Sequence, residues 1–138
     1  SLYEALQMIY KEHGYYVEET HALKFEGLLG QKKIERIMDY FRERKPSQIL
    51  DTVVHFANDY KMQISYNLIN GDFERITLPK SNVLKFNFED GSWFVLRPSG
   101  TEPKIKIYFS IKGTTLEEAK ETLEKIKEEI MKIIKSVA

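Results

Sequence analysis

The sequence predicts an α+β domain: an antiparallel sheet covered on one face by a long C-terminal helix and preceded by a small helical segment. Three observations predict it. Apolar residues recur at helical spacing in Leu2–Tyr10, Ile34–Phe41 and Leu116–Val137, strand-like runs fill much of the stretch between Val53 and Ile111, and Asp90-Gly91 marks a tight hairpin among them.

Taken in order, Leu2, Ala5, Leu6, Met8 and Ile9 follow helical spacing, and Gly14 after His13 supplies a left-handed stop, so a first helix of about three turns is expected. Tyr15-Tyr16-Val17 has strand propensity but runs into polar residues and glycines; a short extended piece followed by loop is expected up to Gly30. Ile34, Ile37, Met38 and Phe41 then form the stripe of a second helix, with Lys32, Lys33, Glu35 and Arg36 facing outward and Pro46 closing it. Two helices flanking so short a segment cannot build a core alone. Their apolar faces must pack on the second half of the chain or on material beyond it. Residues 1–48 are accordingly set apart from residues 49–138.

Val53-Val54-His55-Phe56 reads as a strand and Asn58-Asp59 as the turn after it, while Ile64 to Ile69 is either a strand or an irregular insert. Val83–Phe88 and Ser92–Arg97 are two strands joined by Glu89-Asp90-Gly91. Trp93-Phe94-Val95-Leu96 is apolar on both faces, which places that strand centrally. Lys104–Ile111 alternates, with Ile105, Ile107, Phe109 and Ile111 on one side and Lys104, Lys106, Tyr108 and Ser110 on the other. Thr114-Thr115-Leu116-Glu117 has the form of a capping box, Thr114 holding an orphan amide and Glu117 reaching back. The helix it opens carries Leu116, Ala119, Leu123, Ile126, Ile130, Ile133 and Val137 as one apolar seam. That seam serves either to cover the sheet, the ordinary arrangement, or to pair with another chain.

Composition narrows the function. Of 138 residues 42% are apolar and 30% charged, which fits a soluble globular chain rather than a disordered one. Lys plus Arg number 21 and Asp plus Glu 21, so no bulk field draws nucleic acid or an anionic membrane, and any anion site must be local. There is no cysteine, which excludes disulfides and thiol chemistry and fits a cytoplasmic location. No apolar run reaches membrane-spanning length, and no signal peptide opens the chain. Ser1 stands first, already inside an amphipathic pattern, so a cut from a longer protein is expected.

One loop asks for a chemical explanation. In Arg97-Pro98-Ser99-Gly100-Thr101-Glu102-Pro103-Lys104, two hydroxyls, a glycine able to turn successive amides into one concavity, and a guanidinium fork lie within five residues. Pro98 and Pro103 stiffen the approaches, and Lys104 and Lys106 add positive charge on one face of the next strand. That is what a phosphate needs. Composition alone leaves a second reading open, in which Ser-Gly-Thr is a plain turn and Arg97 a solvated strand end. Glu102 argues against the phosphate reading unless it points away, binds a sugar hydroxyl or meets a lysine. Asp51, Asp59, Asp72 and Asp90 are scattered singly, without metal-ligand spacing, and read as turn or surface residues. His13, His21 and His55 are isolated, and no serine has a base at a readable spacing.

The run Arg97 to Lys106 resembles the phosphate-binding loop of the α-phosphohexomutase superfamily, the phosphoglucomutase and phosphomannomutase family, whose C-terminal domain carries an R-x-S-G/N-T-x-P-K segment followed by a strand. The similarity extends from Ser1–Tyr15 and Gly30–Arg44, which resemble the end of the family's third domain, through Ile49–Ala138, which resembles its fourth. It implies a layer of the TATA-binding-protein kind. It also implies that Arg97, Ser99, Gly100, Thr101 and Lys106 bind the phosphate that is not being transferred, with Glu102 and Lys104 as further candidates. In such a parent a phosphoserine passes its phosphoryl group to a sugar monophosphate, a hexose 1,6-bisphosphate reorients, and magnesium assists at the serine. The phosphorylated sugar and the N-terminal mutase domains are the implied partners. Catalytic serine, metal loop and sugar-reading loop belong to those earlier domains, so no catalytic residue, no metal ligand and no cofactor are expected here, and this chain alone should bind phosphate weakly and catalyse nothing. The competing reading is a free-standing adaptor that binds another chain through its sheet or its C-terminal helix; nucleic-acid binding through the sheet rests on fold analogy alone.

Overall fold

A computed structural model describes residues 14–138. The first expected helix, Leu2–Tyr10, lies outside the described residues. Ten elements follow: β1 (Tyr15–Lys24), α1 (Gly30–Arg44), β2 (Gln48–Ile49), β3 (Thr52–Asp59), β4 (Ile64–Asn67), β5 (Phe73–Arg75), β6 (Leu84–Phe88), β7 (Trp93–Pro98), β8 (Lys104–Gly113) and α2 (Leu116–Val137). The strands form one antiparallel sheet of eight, in the order β1-β8-β7-β6-β3-β4-β5, with β2 paired to β3 outside that path.

The segment expected as loop up to Gly30 is in fact a ten-residue strand. From Tyr15 to Lys24 half-buried and exposed positions alternate strictly. Of the polar residues that argued against a strand, Glu18, Thr20 and Lys24 occupy its solvent side, while Glu19 and His21 are half-buried on the other. β1 pairs with β8 along its whole length, from Tyr15 opposite Gly113 to Lys24 opposite Lys104. Non-local pairing of this kind is invisible to local propensity.

β8 presents Ile105, Ile107, Phe109 and Ile111 to the core, all essentially inaccessible, as the alternation predicts. Phe94 and Leu96 of β7 and Leu84, Phe86 and Phe88 of β6 continue this buried face. Phe86 and Phe94 stack at 4.8 Å, and Phe41 of α1 meets both rings. A register shift between Val54 and Phe56 lets β3 bury both Val54 and Ala57 on the core side, which a regular two-residue alternation would forbid.

The second helix forms where expected. Ile34, Ile37, Met38 and Phe41 face the core, and α1 ends at Lys45, whose left-handed φ of 43° lets its amide donate to Phe41 O just before Pro46. These side chains belong to the same buried cluster as Phe86, Phe94 and Ile107. Residues on either side of position 48 therefore share one core.

α2 lies across β8 and β1 beside α1. It buries Ala119, Leu123, Ile126, Ile130 and Ile134. The expected seam thus closes on Ile134, with Ile133 and Val137 only half-buried and Leu116 exposed, because a straight helix advances 3.6 residues per turn and drifts off a strict three-four repeat. With this stripe sealed against its own sheet, it is not available for pairing with another chain. The cap is also displaced by one residue: Thr115 accepts from the Glu118 amide at 3.1 Å, while Thr114 donates to the Glu118 carboxylate.

Asn58-Asp59 ends β3 rather than forming a turn, and Asp59 is only 1% exposed. Its Oδ1 accepts from the amides of Lys61 and Met62, and its Oδ2 from Arg42 Nε at 3.0 Å. The side chain caps the real turn, which begins one residue later, and cross-links it to α1. Among the described residues no helix is long and apolar enough to cross a membrane.

Candidate functional site

With both helices on one face, the other face of the sheet is open, and the Arg97–Lys104 loop joins two of its inner strands. Direct cross-strand partners share a face. Arg97 pairs with Lys106, and Val95 with Tyr108, so these four side chains stand together on the open side. β7 ends at Pro98 and β8 begins at Lys104; between them the Ser99 amide donates to Lys104 O at 2.9 Å and the Lys104 amide to Glu102 O at 2.7 Å. The loop is therefore closed at its neck.

At its tip Gly100 adopts φ 85°, a conformation that strains any side chain, and open space surrounds the position where a Cβ would stand. Backbone geometry, not crowding, calls for glycine there. The turn brings the hydroxyls of Ser99 and Thr101 to 3.3 Å from one another. The amides of Gly100 and Thr101 make no hydrogen bond to any described residue and remain available to a ligand.

A concavity of about 420 Å³ lies here, lined by Arg97, Pro98, Ser99, Thr101, Glu102, Lys104, Lys106 and Tyr108. Every expected site residue with a side chain thus borders one space. Gly100 shapes its rim through the backbone. Tyr108 is the one polar lining residue outside the expected set, and its place on the Lys104/Lys106 side of the alternation is the sequence signal for it. Neither Arg97 nor either lysine has an ion-pair or side-chain hydrogen-bond partner among the described residues. Glu102 is the single carboxylate on the lining and it is exposed. A cation-rich, hydroxyl-lined hollow with unused amides is chemically an anion receptor.

Behind the loop, the Phe25 amide donates to Pro103 O at 2.8 Å, extending the β1–β8 pairing by one rung. Gly30, the first residue of α1, packs against the same proline. The loop therefore rests on the two elements that precede β2. Among the described residues no three His, Cys, Asp or Glu side chains gather in a way that could hold a metal ion.

A two-layer α+β domain presenting a cation-lined loop from its inner strands is the class these features define. Residues 67–133, which include that loop, match the family model described as the phosphoglucomutase/phosphomannomutase C-terminal domain. The chain belongs to the phosphoglucomutase/phosphomannomutase family and carries its C-terminal domain. A phosphoglucomutase of Staphylococcus saprophyticus is 42% identical over 121 residues, covering 88% of this chain but 22% of that protein. One from Staphylococcus aureus is 41% identical over 112 residues, with 81% and 20% covered. The chain thus spans about a fifth of the length of these relatives. Among solved structures, Paramecium pp63/parafusin in its open form superposes with a TM-score of 0.52 over 94% of this chain and 22% of its own, at 16% identity, which speaks to the fold.

Proposed function

We propose that the Arg97–Thr101 loop binds the phosphate of a phosphorylated sugar within a phosphoglucomutase/phosphomannomutase that interconverts hexose 1-phosphate and hexose 6-phosphate. The observation that carries this reading is the convergence of Arg97, Ser99, Thr101, Lys104 and Lys106 on one hollow in which the cations lack protein partners. Arg97 would engage two phosphate oxygens through its fork, the Ser99 and Thr101 hydroxyls and the Gly100 amide would take others, and Lys106 would add charge from the adjoining strand. Glu102 would turn toward a sugar hydroxyl or a lysine.

The phosphate held here would be the one that is kept. Binding energy gathered at that remote end positions the reacting end, and a loop that reads phosphate but little of the sugar suits an intermediate that reverses its orientation. In the reading proposed for the whole mutase that intermediate is a hexose 1,6-bisphosphate formed from a phosphoserine. Magnesium, expected for the same protein, finds no fitting set of ligands among the described residues, and the task assigned to this chain is phosphate binding alone.

The test is an NMR titration of the chain with glucose 1-phosphate. Shifts centred on Ser99–Thr101 are expected, with affinity falling at least about tenfold in Arg97→Ala, as befits loss of a charge-assisted contact of about 1.5–3 kcal/mol. Equal affinity in that variant would overturn the reading.

A further inference from the structure

The cations of the hollow do not stop at the edge of β8. Lys104 stands directly opposite Lys24 of β1, two rungs from the pair formed by Lys106 and Ala22. Because direct partners share a face, Lys24 projects from the same open side as Arg97, Lys104 and Lys106. Two like charges opposed across an antiparallel pair cost stability unless something of opposite charge lies between them. No carboxylate does so here: Lys24 and Lys104 are both without an ion-pair or side-chain hydrogen-bond partner among the described residues. The same strand pair handles charge differently elsewhere, setting Glu18 against Ser110 and Glu19 against Phe109. The like-charged rung occurs only at the end that carries the loop.

We infer that the anion site extends across the β1–β8 seam and that Lys24 is a further binding residue for the phosphoryl group. This rests on the phosphate reading of the Arg97–Thr101 loop and deepens it. With adjacent strands about 4.8 Å apart and side chains on one face about 7 Å apart along a strand, the Lys24 Cα lies on the order of 12 Å from that of Arg97. A flexible four-carbon stem closes about half of that gap, so Lys24 acts at medium range as a screened charge and not as part of the tight fork made by Arg97. The ligand recognised is therefore a dianionic phosphate monoester in preference to a monoanion such as sulfonate or carboxylate, since the attraction scales with ligand charge.

Titration of the chain with inorganic phosphate, then with glucose 1-phosphate, at low ionic strength tests this. Lys24→Ala is expected to weaken both about threefold and Lys24→Glu about tenfold, and the differences should vanish near 1 M salt, where the screening length is about 3 Å. Lys112→Ala is the control. It removes the same charge from the same face of β8 but about 27 Å farther along the strand, and it should leave affinity unchanged. If Lys112→Ala and Lys24→Ala weaken binding equally, or if neither does while Arg97→Ala abolishes it, the extension to Lys24 is wrong and the loop reading stands. If Arg97→Ala binds as well as the parent chain, both fall together. Lys24→Gln, which keeps a polar, flexible side chain without the charge, repeats the measurement should the alanine variant fold poorly.

Discussion

Gly30 and Pro103 approach so closely that a methyl group added to the glycine would stand 2.7 Å from the proline Cβ, and only 2.4 Å from Phe25 O. Neither contact can be relieved by swinging a flexible side chain, because one neighbour is backbone and the other a ring. The first residue of α1 is thus wedged against the base of the Arg97–Lys104 loop. Gly30→Ala should destabilise the chain by about 2 kcal/mol and displace the amide resonances of Ser99–Thr101 although the mutation lies outside the loop. An unchanged melting temperature with an unchanged loop spectrum would show that the wedge does not exist.

Arg42 links two carbonyl-bearing partners on different elements, donating through Nε to Asp59 and through a terminal nitrogen to Asn82 at 2.8 Å. Asp59 is nearly inaccessible, so removing its cation strands a buried charge. Arg42→Ala is expected to cost about 3 kcal/mol, whereas Asn82→Ala, at the exposed end of the network, should cost under about 1 kcal/mol. Urea denaturation midpoints that rank the two variants in the opposite order would contradict this.

Ser92 is buried, and its hydroxyl accepts from the Lys112 amide at 2.9 Å, tying the β6–β7 turn to the far end of β8. Ser92→Ala leaves that amide without its partner. A loss of about 1–2 kcal/mol follows, with faster hydrogen exchange at Lys112 as the local readout. Exchange at Lys112 that stays as slow as in the parent chain would rule out the assignment.

Lys127 of α2 sits between Glu19 of β1 at 2.8 Å and Glu124 at 3.1 Å. The hydrogen bond to Glu19 raises its pKa above the ordinary lysine value, against a smaller opposing effect of burial. A raised folded-state pKa stabilises the fold fully below the lysine range and is lost as pH climbs through the raised value. The stability difference between the parent chain and Lys127→Met should therefore be largest at neutral pH and shrink in strong alkali. A difference that stays constant across that range would show that the pair contributes nothing through ionisation.

How much of this could be read from the amino acids depends on the range of the interactions. The β6–β7 hairpin and β8 are legible because Asp90-Gly91 and the isoleucine alternation are local signals that the tertiary structure reinforces. The Arg97–Thr101 loop is legible for the same reason, since its donors are contiguous in sequence. β1 is not. Its apolar residues are few, and it is a strand chiefly because β8 offers a free edge far away in the chain. Asp59 misleads because aspartate marks turns on average, while here it caps a turn from a buried position supplied by Arg42. Lys24 escapes notice altogether until the register of β1 against β8 sets it opposite Lys104.

That register also governs the order in which the domain can assemble. Among the described residues β1 pairs with β8 alone, roughly ninety positions later, so this ladder has the greatest loop-closure cost in the described sheet, and contacts of such separation form late. The β6–β7 hairpin and α2 can form from local contacts while β1 waits without a partner. The hydrogen bond from Phe25 to Pro103 and the approach of Lys24 to Lys104 belong to this last event. The donors of the Arg97–Thr101 loop are therefore contiguous before the loop is mechanically braced, and the bracing is complete only when β1 and β8 meet.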